Sequence, residues 1–239
     1  MKIISLANII TLLNLFFGCI AILLLVENNV EIHYVFILTL ICLILDFFDG
    51  LIARYYNSQS KIGIQLDSLS DMVSFGLVPG IIIYNLFIQA PSSYVGSILS
   101  SVVPFFSFLV TIASAIRLAK FNISKLNSNF FKGLPTPANT ILIYSIAIIV
   151  SDNNKIADLF LNYSSLTLLV LVSSSLLICN LKLLNFKFKN FKFKGNRSRI
   201  FILLISAVLI YMLSFYSLPL ILILYIVVSI FTFYGKTAK

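Results

Sequence analysis

Four aspartates lie within long apolar segments of the sequence, at Asp46, Asp49, Asp67 and Asp71. An ionised Asp at the centre of a membrane helix costs about 2.5–3.5 kcal/mol, so acidic residues in such segments usually mark an ion or substrate site. At about 100° per residue, Asp46 and Asp49 share one helix face, and Asp67 and Asp71 share a face of the following helix. The segment between the helices is short and polar, which makes them antiparallel neighbours. The spacing therefore predicts that the two acidic faces meet.

Small residues and one arginine accompany these acids. Four carboxylates with no compensating lysine on the two acidic helix faces repel one another, and divalent cations remove that repulsion. Oxygen ligands favour Mg²⁺, Mn²⁺ or Ca²⁺ over zinc or copper. Gly50, Ala53 and Gly63 leave room for a ligand close to the backbone, and Arg54 is placed to bind a phosphate. The pattern favours a diphosphate held between two ions for in-line attack; the alternative is a carboxylate cluster that conducts or couples protons, as in a transporter.

The sequence as a whole has the composition of a membrane protein. Of its 239 residues, 60% are hydrophobic and 10% are charged, and the mean hydropathy is +1.06, whereas soluble domains carry about 25% charged residues. This composition excludes a soluble globular enzyme, a disordered chain and a coiled coil. Because a spanning helix needs about 20 apolar residues, the apolar stretches predict eight spans, at roughly residues 7–26, 33–53, 64–88, 95–116, 136–151, 159–180, 199–214 and 218–234.

Basic residues are distributed unevenly between these spans. Each of the 17 Lys and Arg residues except Lys155 falls on the side of the N-terminus, which the positive-inside rule assigns to the cytoplasm. We therefore expect a multi-pass protein of the cell or inner membrane, with both termini in the cytoplasm and the acidic site facing that side. The segment 186–194 is rich in alternating Lys and Phe, a pattern that favours lipid headgroups over nucleic acid at this position.

The acids, the small residues and the arginine form one spaced motif. It reads Asp46-x2-Asp49-Gly50-x2-Ala53-Arg54-x8-Gly63-x3-Asp67-x3-Asp71. In every position and spacing it resembles the signature of the CDP-alcohol phosphatidyltransferase family. The resemblance implies an all-α polytopic membrane helix bundle with a six-helix core at residues 1–180. A basic aromatic cytoplasmic loop at 181–198 and two extra C-terminal transmembrane helices with a short tail at 199–239 would complete the chain.

The resemblance also implies a mechanism. A CDP-linked lipid, CDP-diacylglycerol, donates its phosphatidyl group to an alcohol, and CMP leaves. Two divalent ions, Mg²⁺ or Mn²⁺, would be bound by Asp46, Asp49 and Asp67, with Asp71 as a ligand of the second ion and as the general base. The implied CDP-lipid contacts are Arg54 at the diphosphate, Gly50, Ala53 and Gly63 as room for the nucleotide, and Asn8, Thr11 and Ser60. Because the family is often dimeric, a homodimer is expected.

Other segments indicate the acceptor alcohol. Residues 8–18, 67–79 and 115–122 with 131–139 resemble the branch of the family that uses L-serine. Serine carries a carboxylate, for which Arg117 is the best-placed bidentate partner. Lys120 is a second candidate, and Asn122 is a candidate acceptor for the ammonium group. The alternatives are cytoplasmic anchoring by Arg117 and Lys120, glycerol 3-phosphate or inositol phosphate as acceptor, a cation transporter, or a non-catalytic membrane scaffold.

Overall fold

The computed structural model describes residues 5–27, 30–58, 60–91, 101–123, 130–185 and 196–234. Within these ranges the chain is almost entirely helical, which confirms the all-α membrane bundle. The helices are α1 (Leu6–Glu27), α2 (Ile32–Tyr55), α3 (Lys61–Asp71), α4 (Val78–Gln89), α5 (Phe108–Ile123), α6 (Thr136–Asp152), α7 (Asn154–Phe160), α8 (Tyr163–Ile178), α9 (Arg197–Leu213) and α10 (Ser217–Tyr234). Strands β1 (Phe130–Lys132) and β2 (Lys182–Leu184) form an antiparallel pair.

The helices follow the predicted spans, with differences at their ends. Five described stretches are long and apolar enough to cross a membrane: Leu6–Glu27, Ile32–Tyr55, Lys61–Gln89, Val103–Ile123 and Arg197–Phe233. Helices α6 and α8 are apolar but have 17 and 16 residues. The predicted start of the fourth span lies outside the described residues, and its helix continues to Ile123. The predicted sixth span is divided into α7 and α8 because Asn162 caps α8 by accepting from the Ser165 amide.

The C-terminal stretch of 37 residues is a helical hairpin. Its backbone is broken at Ser214, which has a positive φ of 49° and begins a short 3₁₀ turn, Ser214–Tyr216. The Thr232 hydroxyl near the end of α10 donates to Ser198 Oγ near the start of α9, at 3.1 Å. The two helices therefore run antiparallel, as the two predicted C-terminal spans require. The predicted basic loop contains β2, and residues 186–195 of that loop lie outside the described residues.

A π-helical segment, Met72–Leu77, joins α3 to α4 directly after the fourth aspartate of the motif. The Thr140 hydroxyl of α6 donates to the Phe75 carbonyl at 3.0 Å, and the Thr111 hydroxyl of α5 donates to the Gly76 carbonyl at 3.0 Å. Two neighbouring helices thus supply the hydrogen bonds that irregular backbone needs in an apolar medium. These two hydrogen bonds fix the backbone of the segment that follows Asp71.

Close packing of α5 against α4 depends on one small residue. A Cβ atom added at Gly80 would lie 2.4 Å from Thr111 Oγ1, so a larger residue would push the two helices apart. Small residues of this kind allow membrane helices to approach closely. The main core lies alongside this contact, where Ile83 and Phe87 of α4 and Tyr144 of α6 are fully buried. This packing fixes the position of α5 relative to the acidic motif.

Candidate active site

The acidic side chains of α2 and α3 converge at one end of the bundle. Carboxylate oxygens of Asp46, Asp49 and Asp67 all lie within 4.8 Å of one another. Asp46 is also within hydrogen-bond range of Asp71. None of the four forms an ion pair with a basic side chain among the described residues. Three carboxylates this close, with a fourth beside them and no ion-paired base among the described residues, form a donor set that suits a hard divalent cation.

Asp71, like Asp49, is a buried member of this cluster. It is 9% exposed, and within the described part of the chain its Oδ1 atom has no hydrogen-bond partner. A buried acceptor without a partner costs free energy unless a ligand, ion or water satisfies it. The adjoining π-helical segment holds its backbone. Asp71 Oδ1 is therefore available to bind an ion or a substrate group, since no described residue satisfies it.

Helix α1 supports the acidic cluster through neutral hydrogen bonds. The buried Thr11 hydroxyl donates to Asp49 Oδ2 at 2.5 Å, and the Thr11 carbonyl accepts from the Ser70 hydroxyl at 3.1 Å. One turn further along α1, Asn14 Oδ1 accepts from Ser74 Oγ at 2.7 Å. These bonds orient the carboxylate of Asp49 and join α1 to α3, in the way that outer hydrogen bonds commonly orient metal ligands.

These supporting roles were missed in the sequence interpretation. Thr11 was assigned to the CDP group, but its hydroxyl is engaged with Asp49 and only 4% of the residue is exposed. The sequence places Ser70 and Ser74 beside Asp67 and Asp71 on one helix face but indicates no role for them, and it does not single out Asn14. The available signal was the recurrence of polar and small residues every three or four positions along α1, which marks one face of an otherwise apolar helix.

The two glycines of the motif have different environments. A Cβ atom added at Gly50 would meet only Arg54 Nη2, at 3.9 Å, so this position faces open space. A Cβ atom at Gly63 would lie 3.0 Å from Asn8 Oδ1 and 3.2 Å from Ser60 Oγ. Among the described residues, the space above Gly50 is thus open, whereas the space at Gly63 is filled by Asn8 of α1 and by Ser60, the cap of α3.

The outer end of the site carries the arginine of the motif. Arg54 is exposed, and its Nε donates to the Gly50 carbonyl at 2.8 Å, which directs the guanidinium along the open face. Ala53 beside it is half-buried. Ser60 caps α3 by accepting from the Gly63 amide at 2.9 Å, so its hydroxyl oxygen has a structural bond in addition to its predicted nucleotide contact.

The candidate acceptor residues lie on α5. Arg117 is half-buried, its Nη1 donates to Thr136 Oγ1 at 3.3 Å, and its Nε has no partner in the described ranges. Arg117 is within electrostatic range of Asp71. Asn122 donates to the hydroxyl of Ser68, the neighbour of Asp67 in the chain, at 2.8 Å. Lys120 is exposed, and the described contacts link Arg117 and Asn122, but not Lys120, to the acidic site.

Comparison with known proteins places this architecture in a family. The sequence model of the CDP-alcohol phosphatidyltransferase family matches residues 4–183. That match covers more than half of the chain and includes the whole acidic motif, so the chain belongs to the CDP-alcohol phosphatidyltransferase family. The C-terminal hairpin, α9 and α10, lies beyond the matched residues.

Three relatives share the name CDP-diacylglycerol–serine O-phosphatidyltransferase. The protein from Methanocaldococcus jannaschii is 33% identical over 151 residues, which are 63% of this chain and 64% of the relative. The protein from Helicobacter pylori is 37% identical over 140 residues, 55% of each chain. The protein from Bacillus subtilis is 35% identical over 132 residues, 54% of this chain and 67% of the relative. This chain therefore spans less than two thirds of the first two relatives.

Proposed function

We propose that this protein transfers the phosphatidyl group of CDP-diacylglycerol to the hydroxyl of L-serine, forming phosphatidylserine and releasing CMP. One observation carries the proposal. Among the described residues, Asp71 Oδ1 and Arg117 Nε each have no hydrogen-bond partner, and the two side chains lie within electrostatic range of each other. Serine offers a hydroxyl proton to the carboxylate and a carboxylate to the guanidinium. The names of the three relatives point to the same acceptor.

The residues can be assigned to successive parts of the reaction. Arg54 and the open space above Gly50 receive the diphosphate of CDP-diacylglycerol. The serine hydroxyl oxygen attacks the phosphorus that carries the diacylglycerol group. The bond from that phosphorus to the bridging oxygen breaks, and CMP leaves with the bonding electrons. Asp71 accepts the hydroxyl proton, as its position beside the acceptor pocket allows.

The donor set fits the metal requirement that the family implies. Asp46, Asp49 and Asp67 would hold one divalent ion, and Asp71 would contribute to a second, with Mg²⁺ or Mn²⁺ as the candidates. Bound ions of this kind neutralise phosphate charge and stabilise a leaving phosphate oxygen. The protein's own part is orientation: Thr11 donates to Asp49, and hydrogen bonds to Phe75 and Gly76 fix the π-helical segment that follows Asp71.

Arg117 gives the acceptor pocket its charge selectivity. Free serine presents one carboxylate to a planar guanidinium, which is a bidentate match. A phosphate-bearing acceptor needs more fixed cations, and the other candidate on this helix, Lys120, is exposed. Basic residues are concentrated on the side of the N-terminus, which the positive-inside rule assigns to the cytoplasm. This distribution supports a site that opens to the cytoplasm and receives free serine from there.

The proposal is tested by CMP release from CDP-diacylglycerol by the purified protein in detergent with Mn²⁺ or Mg²⁺. Separate reactions contain serine, glycerol 3-phosphate, inositol phosphate or no acceptor. We expect serine-dependent release that falls by about 10²- to 10⁴-fold in Asp71→Asn, as is typical for loss of a general base. Asp158→Asn is the matched control, because Asp158 is exposed on α7, outside the acidic cluster.

Each other outcome identifies what is wrong. Release with glycerol 3-phosphate or inositol phosphate but not with serine retains the transferase chemistry and overturns the acceptor. Serine-dependent release that persists in Asp71→Asn overturns the role of Asp71 as base. If folded protein releases no CMP with any acceptor, the transferase proposal is wrong. The acidic cluster is then interpreted as part of a cation transporter or of a non-catalytic scaffold.

A further inference from the structure

We propose that the C-terminal helix α10 is a positioning element for the acceptor pocket, acting through Tyr225 and Ser229 on the segment that holds Arg117. This inference rests on the proposed function for its kinetic readout. Helix α10 lies beyond the residues that match the family, so the family motif assigns it no role. It packs against α6 and β2, and two of its side chains form hydrogen bonds to the same residue of β2.

That residue is Leu184, and α10 binds both of its backbone polar groups. The Tyr225 hydroxyl donates to the Leu184 carbonyl at 2.8 Å, and the Leu184 amide donates to Ser229 Oγ at 3.1 Å. Tyr225 and Ser229 are one helical turn apart, so both side chains project from the same face of α10. Strand β2 is therefore held from outside the sheet at its last residue.

The strand pair transmits this restraint toward α6. Leu184 pairs with Phe130 at the start of β1. Directly after β1, the amide of Gly133 donates to the Leu181 carbonyl at 2.9 Å, and the amide of Leu134 donates to the Leu176 carbonyl at 2.8 Å. Leu134 is fully buried in the same hydrophobic cluster as Tyr225. The chain from β1 to the start of α6 is thus fixed by backbone hydrogen bonds and by contact with α10.

Thr136 is the point where this restrained segment contacts the candidate site. It is the first residue of α6, it is fully buried, and its hydroxyl oxygen accepts from Arg117 Nη1 at 3.3 Å. Tyr225 also lies within electrostatic range of Arg117. Asp71 lies within electrostatic range of Arg117, but no described acid forms an ion pair with it. The hydrogen bond to Thr136 and the nearby Tyr225 therefore help to determine where the guanidinium points. Displacement of Thr136 or Tyr225 therefore moves the cation that is proposed to bind the acceptor carboxylate.

The kinetic test compares Tyr225→Phe and Ser229→Ala with wild type in the full-length protein. Each variant removes one hydroxyl that contacts Leu184. One such hydrogen bond contributes at most about tenfold to an equilibrium constant. Because it acts on Arg117 indirectly, we expect the KM for serine to rise by about three- to tenfold. We expect kcat and the KM for CDP-diacylglycerol to change less than about twofold, since Arg54 and the aspartates are not touched. This separation of KM from kcat is not expected from a general loss of folded protein.

Thr232→Val is the matched control. Thr232 lies on the same helix, but its hydroxyl bonds Ser198 of α9 and does not contact β2. We expect it to lower thermal stability about as much as Tyr225→Phe while leaving the KM for serine unchanged. An equal rise in KM in Thr232→Val, or a fall in kcat with unchanged KM in both Tyr225→Phe and Ser229→Ala, overturns the positioning role.

A second measurement separates this proposal from the proposed function. Modification of Arg117 by phenylglyoxal, followed by mass spectrometry, reports how firmly the guanidinium is held and needs no acceptor. We expect modification at least about twofold faster in Tyr225→Phe than in Thr232→Val, because the restraint on the guanidinium is weaker. Equal rates overturn the positioning role even if serine is the acceptor. Faster modification without serine-dependent CMP release supports the positioning role and overturns the acceptor.

Discussion

The acidic half of the site, residues 46–71, and the basic half around Arg117 differ in how their parts are distributed along the chain. The acidic half lies on two consecutive helices, and one hydroxyl from α1 supports it. The basic half brings together Arg117 of α5, Thr136 of α6, Leu184 of β2 and Tyr225 of α10. The first is a local motif, and the second exists only where four distant segments pack together.

The two halves also differ in what they leave unsatisfied. The acidic half has several like charges and forms no ion pair with a basic side chain among the described residues, so it favours the binding of metal ions. The basic half has one guanidinium among neutral partners, so it favours the binding of one anionic group. Each half is completed by a ligand of opposite charge. The comparison predicts that variants of the acidic half affect metal binding and turnover, whereas variants of the basic half affect acceptor binding.

The largest effect is expected from Asp67→Asn in the acidic half. Removing one carboxylate from the convergent set weakens Mn²⁺ binding and lowers CMP release by about 10²-fold or more, because an amide oxygen carries no charge to offset that of the ion. Mn²⁺ affinity is measured by electron paramagnetic resonance, and turnover by CMP release. Asp158→Asn is the control with unchanged Mn²⁺ affinity. Wild-type Mn²⁺ affinity in Asp67→Asn contradicts the metal assignment.

A smaller and different effect is expected from Arg117→Lys in the basic half. Lysine keeps the charge but loses the planar fork, so the KM for serine should rise by about tenfold with kcat and Mn²⁺ affinity nearly unchanged. Steady-state kinetics at saturating CDP-diacylglycerol provide the measurement. Lys120→Gln is assayed in parallel, since Lys120 was the second candidate. If the KM for serine rises more in Lys120→Gln than in Arg117→Lys, the acceptor carboxylate is bound by Lys120. That result would contradict the difference proposed between the two halves.

An effect of similar size, but on metal affinity, is expected from Thr11→Val, which tests the support of the acidic half. Valine has nearly the same shape but cannot donate to Asp49, so Mn²⁺ affinity should fall by about tenfold, as is usual for groups that orient metal ligands. Thr39→Val is the matched control: it removes a buried hydroxyl that pairs with Tyr144 at 2.7 Å, away from the acidic cluster. Equal Mn²⁺ affinities in the two variants indicate that Thr11 acts only in packing.

Much of the fold was predictable because helix periodicity and apolar length are local properties. The spans of α1 and α2 agree with the structure to within about two residues, well inside the usual uncertainty of element ends. Three features were not predictable in this way. The division of the sixth span at Asn162, the π-helical segment after Asp71 and the strand pair β1–β2 all depend on hydrogen bonds to particular partners.

The sequence by itself determined that Asp46, Asp49, Asp67 and Asp71 face one another, because the turn angle of a helix and a short connection leave little freedom. Only the tertiary structure decided that Gly50 faces open space while Gly63 packs against Asn8. It also decided the contacts of Thr11 with Asp49 and of Tyr225 with Leu184. The physical reason is that a buried polar group takes whichever partner packing brings within reach, and packing depends on residues far away along the chain.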